Sequence, residues 1–389
     1  MTEAELRALI RPGGESETVE YKRLPERPED LAKSLVALSN TRGGTILVGV
    51  DDGGRITGFS EPKFEECVAS VARDKVSPPI APAVDRYRIP EGEVAVIHVE
   101  PGPDGPYARV HEEERAYLVQ VGTTRREADS RELLGLLQAA GRIQADETPV
   151  GGTSARSIEG QPLRAYLERV HRRDIGALAP RERRLLLTHL GFLKAPAGPA
   201  TLGGVLLFTA SPQDHIPEAL VIVARFSGAD VASGLEDRIE IAGRLPDMVK
   251  SALRTLRASL RARGRRRGGR LASEGEIPAG ALREAIVNAL VHRDYTLRGR
   301  PVRILVFETS VEIRSPGKPP NTMTVERMMA GSASVPRNPM LFTAMAHLGY
   351  VQKLGMGVRS IVETTRRLGR QASVLVDTDE TVVKFPRRA

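Results

Sequence analysis

Two groups of residues in this 389-residue chain have the types and spacing for chemistry on phosphates. The first is acidic. Glu15 and Glu20 flank the start of the alternating segment Thr18-Val19-Glu20-Tyr21-Lys22, and Asp51 with Asp52 ends an apolar run expected to pair nearby. Converging carboxylates are hard oxygen ligands for Mg²⁺ or Mn²⁺, which activates water and stabilises charge on a phosphodiester. Lys22, Arg23, Lys33 and Arg42 would bring the phosphate in. The same residues also fit a plainer reading, with Glu20 and Lys22 as an ion pair and Asp51-Asp52-Gly53-Gly54 as a hairpin turn.

The second group is Leu282-Arg283-Glu284-Ala285-Ile286-Val287-Asn288-Ala289-Leu290-Val291-His292-Arg293-Asp294-Tyr295. Glu284 and Asn288 are four apart and share one face of a helix that is otherwise largely apolar. An Asn carbonyl holds a phosphate-bound Mg²⁺, and a Glu one turn away polarises water. Gly317 in Ser315-Pro316-Gly317, and Gly355 with Gly357, are small residues that let backbone amides approach phosphates. His292-Arg293-Asp294 is not a kinase catalytic loop, because no Asn follows at the required distance and no Asp-Phe-Gly accompanies it. The seven histidines show no zinc spacing.

The elements that must position these residues fall into two groups. A helix over Glu3 to Leu9, a strand at 18–22 and a helix over Glu29 to Ser39 open the chain. A hairpin follows, with Thr45 to Val50 going out and Arg55 to Phe59 returning. A helix over Phe64 to Arg73, strands at Val94 to Val99 and Ala116 to Val121, and a helix over Arg131 to Ala140 complete an α+β domain over residues 1–145. The Gly- and Pro-rich stretch 146–160 reads as a linker. Residues 161–389 then carry helices at Gln161 to Arg173 and Pro180 to Leu190, and strands at Gly203 to Thr209 and Ala219 to Phe226. A long helix from Pro246 to Arg261 runs into an arginine-rich stretch at 261–270, read either as a solvated tip or as a phosphate-contacting arm.

Composition narrows the class. Hydrophobic residues make up 41% of the chain, enough for folded cores, while 4% aromatic residues and no Trp make those cores aliphatic. The net charge of +8 favours a polyanionic partner. One cysteine, Cys67, excludes an intramolecular disulfide and a Cys-only zinc cluster. With no stretch of 18 apolar residues and no signal-like start, the expected setting is cytoplasmic, without a membrane partner.

Glu15 to Lys22, followed by Ser39-Asn40-Thr41-Arg42-Gly43-Gly44-Thr45-Ile46-Leu47-Val48-Gly49-Val50-Asp51-Asp52-Gly53-Gly54-Arg55-Ile56-Thr57-Gly58, resembles the Schlafen (AlbA-2) domain family. The resemblance implies nucleic-acid binding, RNA or DNA, and in some members a three-carboxylate, metal-dependent site that cuts transfer or ribosomal RNA. That pattern falls on Glu15, Glu20 and Asp51. Residues 278–361 resemble the divergent GHKL-type (Bergerat) ATP-binding domain, an α/β sandwich found at the C-terminus of many AlbA-2 proteins. It implies ATP as a ligand, Glu284 and Asn288 in the N-box, Asn288 on the nucleotide's Mg²⁺, and Gly355 and Gly357 in the phosphate lid. The family's Asp-x-Gly-x-Gly box appears here as Ser315-Pro316-Gly317-Lys318-Pro319, without its carboxylate. Two functions are expected from these features: a metal-dependent tRNA-type endonuclease with a nucleotide-sensing second domain, or an ATP-responsive DNA-binding regulator that does not cut. A homo-oligomer is compatible with either.

Overall fold

The apolar run that the sequence places near residue 45 is continuous because its strand is covered on both faces. In β2 (Gly44–Val48), Ile46 and Val48 enter one core, with Leu31, Leu35, Leu38 and Ile97, while Leu47 enters another, with Leu6, Tyr21 and Val96. The computed structural model describes residues 2–23, 27–102, 104–172, 174–266, 277–319, 325–330, 336–351, 357–377 and 379–387. These divide into two units, one within residues 1–143 and the other within residues 144–389.

In the first unit, α1 (Glu3–Leu9) is opened by a capping box at Thr2 and Glu5. β1 (Val19–Lys22) pairs parallel with β2 through the crossover helix α2 (Pro28–Ser39). After α3 (Phe64–Asp74) and β3 (Val76–Ser77), the hairpin β4 (Ala83–Ile89) and β5 (Gly92–Val99) completes a sheet of order β1-β2-β5-β4. Strands β6 (Ala108–His111), β7 (Glu114–Ala116), β8 (Leu118–Val121) and β9 (Thr124–Glu127) precede α4 (Ser130–Ala139). The expected return strand at 55–59 does not form. Only Val50 and Ile56 bridge, because the partners of β2 are β1 and β5.

The second unit begins at Gln144 and takes in the whole stretch read as a linker. Asp146 is buried and its carboxylate accepts the amide of Leu341 at 2.9 Å, and Ile158 lies in the core. The helices α5 (Ala155–Ile158), α6 (Gln161–His171) and α7 (Pro180–His189) lead to α8 (Leu202–Phe208). The sequence reading has a strand at 203–209, and the structure has a helix. Its residues are buried on every side, so no periodicity marks it, and the capping Thr201 hydroxyl accepts the amide of Gly204.

Strands β10 (Val221–Phe226) and β11 (Leu235–Ile241) are followed by α9 (Leu245–Arg266), α10 (Ala279–Val291), β12 (Val302–Val306) and β13 (Ser310–Pro316). Then come α11 (Val325–Ala330), α12 (Pro339–His347), α13 (Gly357–Arg366), β14 (Ser373–Val376) and β15 (Glu380–Pro386). The sheet order is β11-β10-β12-β13-β15-β14. Alternation gives it two unlike faces. Val221, Val223, Ile304, Val311, Ile313 and Phe385 enter the core with α9 and α10. Arg303, Glu312, Arg314, Glu380 and Lys384 form ion pairs on the other face. The protein is thus α+β throughout.

Candidate functional site

β1 positions Glu20 and Lys22 on the side opposite Tyr21, two residues apart, so both reach the α2 side of the sheet. Glu20 is buried, and a single oxygen, Oε1, receives the Ser34 hydroxyl at 3.0 Å, the Lys22 ammonium at 2.9 Å and the Arg125 guanidinium at 3.3 Å. Arg125, from β9, also donates to the Ser34 hydroxyl. The second oxygen, Oε2, is buried and has no hydrogen-bond partner among the described residues.

The other two carboxylates are committed elsewhere. Glu15 Oε1 accepts the Tyr21 amide at 3.0 Å. Asp51 Oδ1 accepts the amides of Gly53 and Arg55, which hold its carboxyl below the usual range, and Oδ2 lies 3.7 Å from Arg23. The expected three-carboxylate metal site is therefore not gathered. Among the described residues no group of three or more His, Cys, Asp and Glu side chains is placed to hold a metal ion. A divalent ion at Glu20 Oε1 would compete there with two cations, and Oε2 is the oxygen that they leave open.

The basic residues expected to meet phosphate are also paired. Lys22 is on Glu20, Arg23 on Asp51, Lys33 on Asp30 at 2.8 Å, and Arg42 on Glu17 at 3.3 Å. Arg23 and Arg42 remain largely exposed. Ser34 and Arg125 belong to this cluster and were missed, because neither carries a local signal: Arg125 lies 105 residues from Glu20 and reaches it only through the fold.

In the second unit the expected pair does meet a third residue. Asn288 hydrogen-bonds Glu284 across one turn of α10, and burial pushes the Glu284 carboxyl above its ordinary range. The first residue of α13, Gly357, lies directly on both. A Cβ there would fall 2.3 Å from Glu284 Oε1 and 3.2 Å from Asn288 Nδ2, so only glycine brings the helix start this close. Gly355 lies outside the described residues, as do residues 267–270 of the arginine-rich stretch.

Gly317, at φ +108°, sits against Asp294, and its amide donates to the carbonyl of Asp379. Ser315 takes no carboxylate's place, since its hydroxyl donates to the Ala289 carbonyl. Asp294 is the centre of a buried polar cluster that sequence reading did not identify. One oxygen accepts both the amide and the hydroxyl of Thr296, and the other pairs with buried Arg337 at 3.1 Å. Asn338 ties the same turn by donating to the carbonyls of Val291 and Arg293. His292 stays neutral beside them, its pKa pushed down to about 4 by burial and by the Arg337 charge. The cluster holds the end of α10 against the Pro316-Gly317 turn, where the Asp294 amide donates to the Pro316 carbonyl.

Comparison with known proteins follows the same division. Residues 15–129 match the family model described as "Schlafen, AlbA_2", and residues 299–385 match one described as "Putative ATP-dependent DNA helicase recG C-terminal". Glu284 and Asn288 lie before the second match. No curated protein matches the chain. Among solved structures, the DIP2311 protein from Corynebacterium diphtheriae aligns with a TM-score of 0.47 at 21% identity, over 96% of this chain and 65% of that one. The N-terminal domain of a RecG-related protein from Nitrosomonas europaea aligns with a TM-score of 0.25 at 23% identity, over 33% of this chain and 86% of that one. The chain thus spans 65% of the length of the first of these structures. It carries a Schlafen AlbA_2 domain at residues 15–129 followed by a recG C-terminal-type domain at residues 299–385.

Proposed function

We propose that this protein binds nucleic acid without cutting it, and that its second unit senses a nucleotide. The AlbA_2 match supports a nucleic-acid partner. The observation that carries the choice against cleavage is the Glu20 carboxylate, buried and held by Lys22, Arg125 and Ser34. Such a carboxylate neutralises and orders its neighbours, whereas a nuclease metal site gathers several carboxylates on the ion, and among the described residues no such group is gathered. The endonuclease reading, with Glu15, Glu20 and Asp51 on Mg²⁺ or Mn²⁺, requires the three carboxylates to come together. The test is whether the protein retards transfer RNA or duplex DNA and leaves both uncut when either metal ion is supplied.

The nucleotide reading rests on the meeting of Glu284, Asn288 and Gly357, and on the ATPase-type match that follows them. With ATP and Mg²⁺ bound, Asn288 would hold the ion and the N-terminus of α13 would face the phosphates. Glu284, its pKa raised, is suited to accept a proton from water. Millimolar ATP with Mg²⁺ is expected to raise the melting temperature of the full chain by mass action, and Asn288→Ala to remove that rise. A wild-type protein indifferent to ATP would remove the nucleotide from the account and leave the nucleic-acid reading standing.

A further inference from the structure

Among the described residues five carboxylates are buried, and four of them sit with cations. Glu20 has Lys22 and Arg125, Asp294 has Arg337, Glu312 has Arg314 and Lys384, and Glu380 has Arg303. Asp146 is the exception. Its Oδ2 accepts the Leu341 amide at 2.9 Å, and its Oδ1 is buried with no hydrogen-bond partner among the described residues. The first turn of α12 is thus what faces its charge, through amides and the helix dipole. An ionised carboxyl buried without a counter-cation is costly and holds a proton more readily than one in water. Burial pushes the Asp146 carboxyl up to about 6, the Leu341 and Met340 amides pull against it, and the Glu147 charge adds to the rise.

The titratable groups around it are few. Asp146 and Glu147 share the single helical turn Ala145–Glu147. Tyr295 feels the Asp146 charge and donates its own hydroxyl to the Leu290 carbonyl. α8, packed on this turn, has no titratable residue, and α12 has only His347, in its last turn. Arg337, just before α12, pairs with Asp294.

Placement gives the contact its meaning. Asp146 stands two residues after Gln144, where the second unit begins. α12 starts directly after Asn338, which donates to the carbonyls of Val291 and Arg293 at the end of α10. One run of hydrogen bonds therefore leads from the entry of the unit, through α12, to the helix that carries Glu284 and Asn288.

We infer that Asp146 is a proton-operated latch: neutral, it docks the entry of the second unit firmly on α12, and ionised, it lets that contact open more readily. Both forms keep the bond, since a neutral carboxyl still presents an acceptor oxygen to the Leu341 amide. Only the cost of burial changes. The docked carboxyl holds its proton up to about 6 and an exposed one only to about 4. The added stability of docking is therefore complete below about pH 4 and is lost as pH rises through about 6.

The experiment measures hydrogen exchange of the full chain at about pH 5 and about pH 7.5, corrected for the intrinsic pH dependence of exchange, in peptides covering residues 144–149 and 339–345. Wild type is expected to open roughly tenfold less often at the lower pH. Asp146→Asn, neutral at both pH values, is expected to lose that difference, and Glu147→Gln to keep most of it. Asp146→Ser, also neutral, replaces the Asn variant if that one does not fold, and unchanged exchange in the rest of the second unit identifies folded variants. Wild-type protection in these peptides that is equal at both pH values overturns the inference. A difference that survives in the neutral variant overturns it as well.

Discussion

Asp294→Ala is expected to destabilise the second unit by about 3–5 kcal/mol, the usual cost of removing one partner from a buried ion pair. The magnitude follows from what is left behind. Arg337 is buried, its pKa lowered by that burial, and without the Asp294 carboxylate it loses an acidic partner in a site that solvent barely reaches. Thr296 loses the acceptor for both its amide and its hydroxyl. For a unit of this size the loss corresponds to a fall of roughly 10 °C in its melting temperature. Asp294→Asn retains an acceptor but not the charge and should fall between the two. Calorimetry on the full chain reads the result. A loss under about 1 kcal/mol would mean that Arg337 finds another counterion and that the cluster does not fix the end of α10.

Gly44→Ala is the second large effect, and it falls on the first unit. Gly44 has φ +155°, and a Cβ added there would lie 2.3 Å from the carbonyl oxygen of Thr18 and under 3 Å from its carbonyl carbon and Cα. These are backbone atoms, so no rotamer relieves the contact. The Thr18 carbonyl is also the acceptor for the Thr45 amide at 2.8 Å, the first bond joining the two parallel strands. A methyl group at 44 must push β1 away from β2, and β1 is the strand that carries Glu20. The expected cost is about 3 kcal/mol or more, from contact and backbone strain together. Gly13→Ala is the control. Gly13 has φ +67° but nothing within 4 Å of its would-be Cβ, so it should cost only about 1–2 kcal/mol. Denaturant titration that ranked the two equally would show that the close approach at Gly44 is not what holds the strands in register.

What the sequence made legible was local. The helix ending at Ser39 and the run from Thr45 were readable because turn residues punctuate them and both faces of β2 are apolar. Glu284, Asn288 and Gly357 were readable as a set through their resemblance to a nucleotide-binding pattern, and the fold brings the three together. Helix α8 was not, because seven buried residues in a row fit a central strand as well as a helix, and the packing that decides lies elsewhere in the chain. The stretch from 146 looked like a linker from its Gly and Pro, yet Asp146 is fixed by an amide 195 residues away. The Glu20 cluster failed for the same reason. From sequence, a glutamate beside a lysine is either a ligand or an ion pair, and Arg125 joins it only when β9 folds back over α2. The summed charge of +8 conceals an acidic first unit and a strongly basic second one.

The central claim is that Glu20 is a structural counterion in a protein that binds nucleic acid and does not cut it. Its most direct test is prolonged incubation of the full chain with end-labelled transfer RNA and duplex DNA, with Mg²⁺ and with Mn²⁺, beside Glu20→Ala. Intact labels are expected in every lane, with retarded complexes for wild type and a lower melting temperature for the variant, whose Lys22 and Arg125 have lost their shared carboxylate. Metal-dependent cleavage by wild type that Glu20→Ala lacks would contradict it and make Glu20 a catalytic ligand.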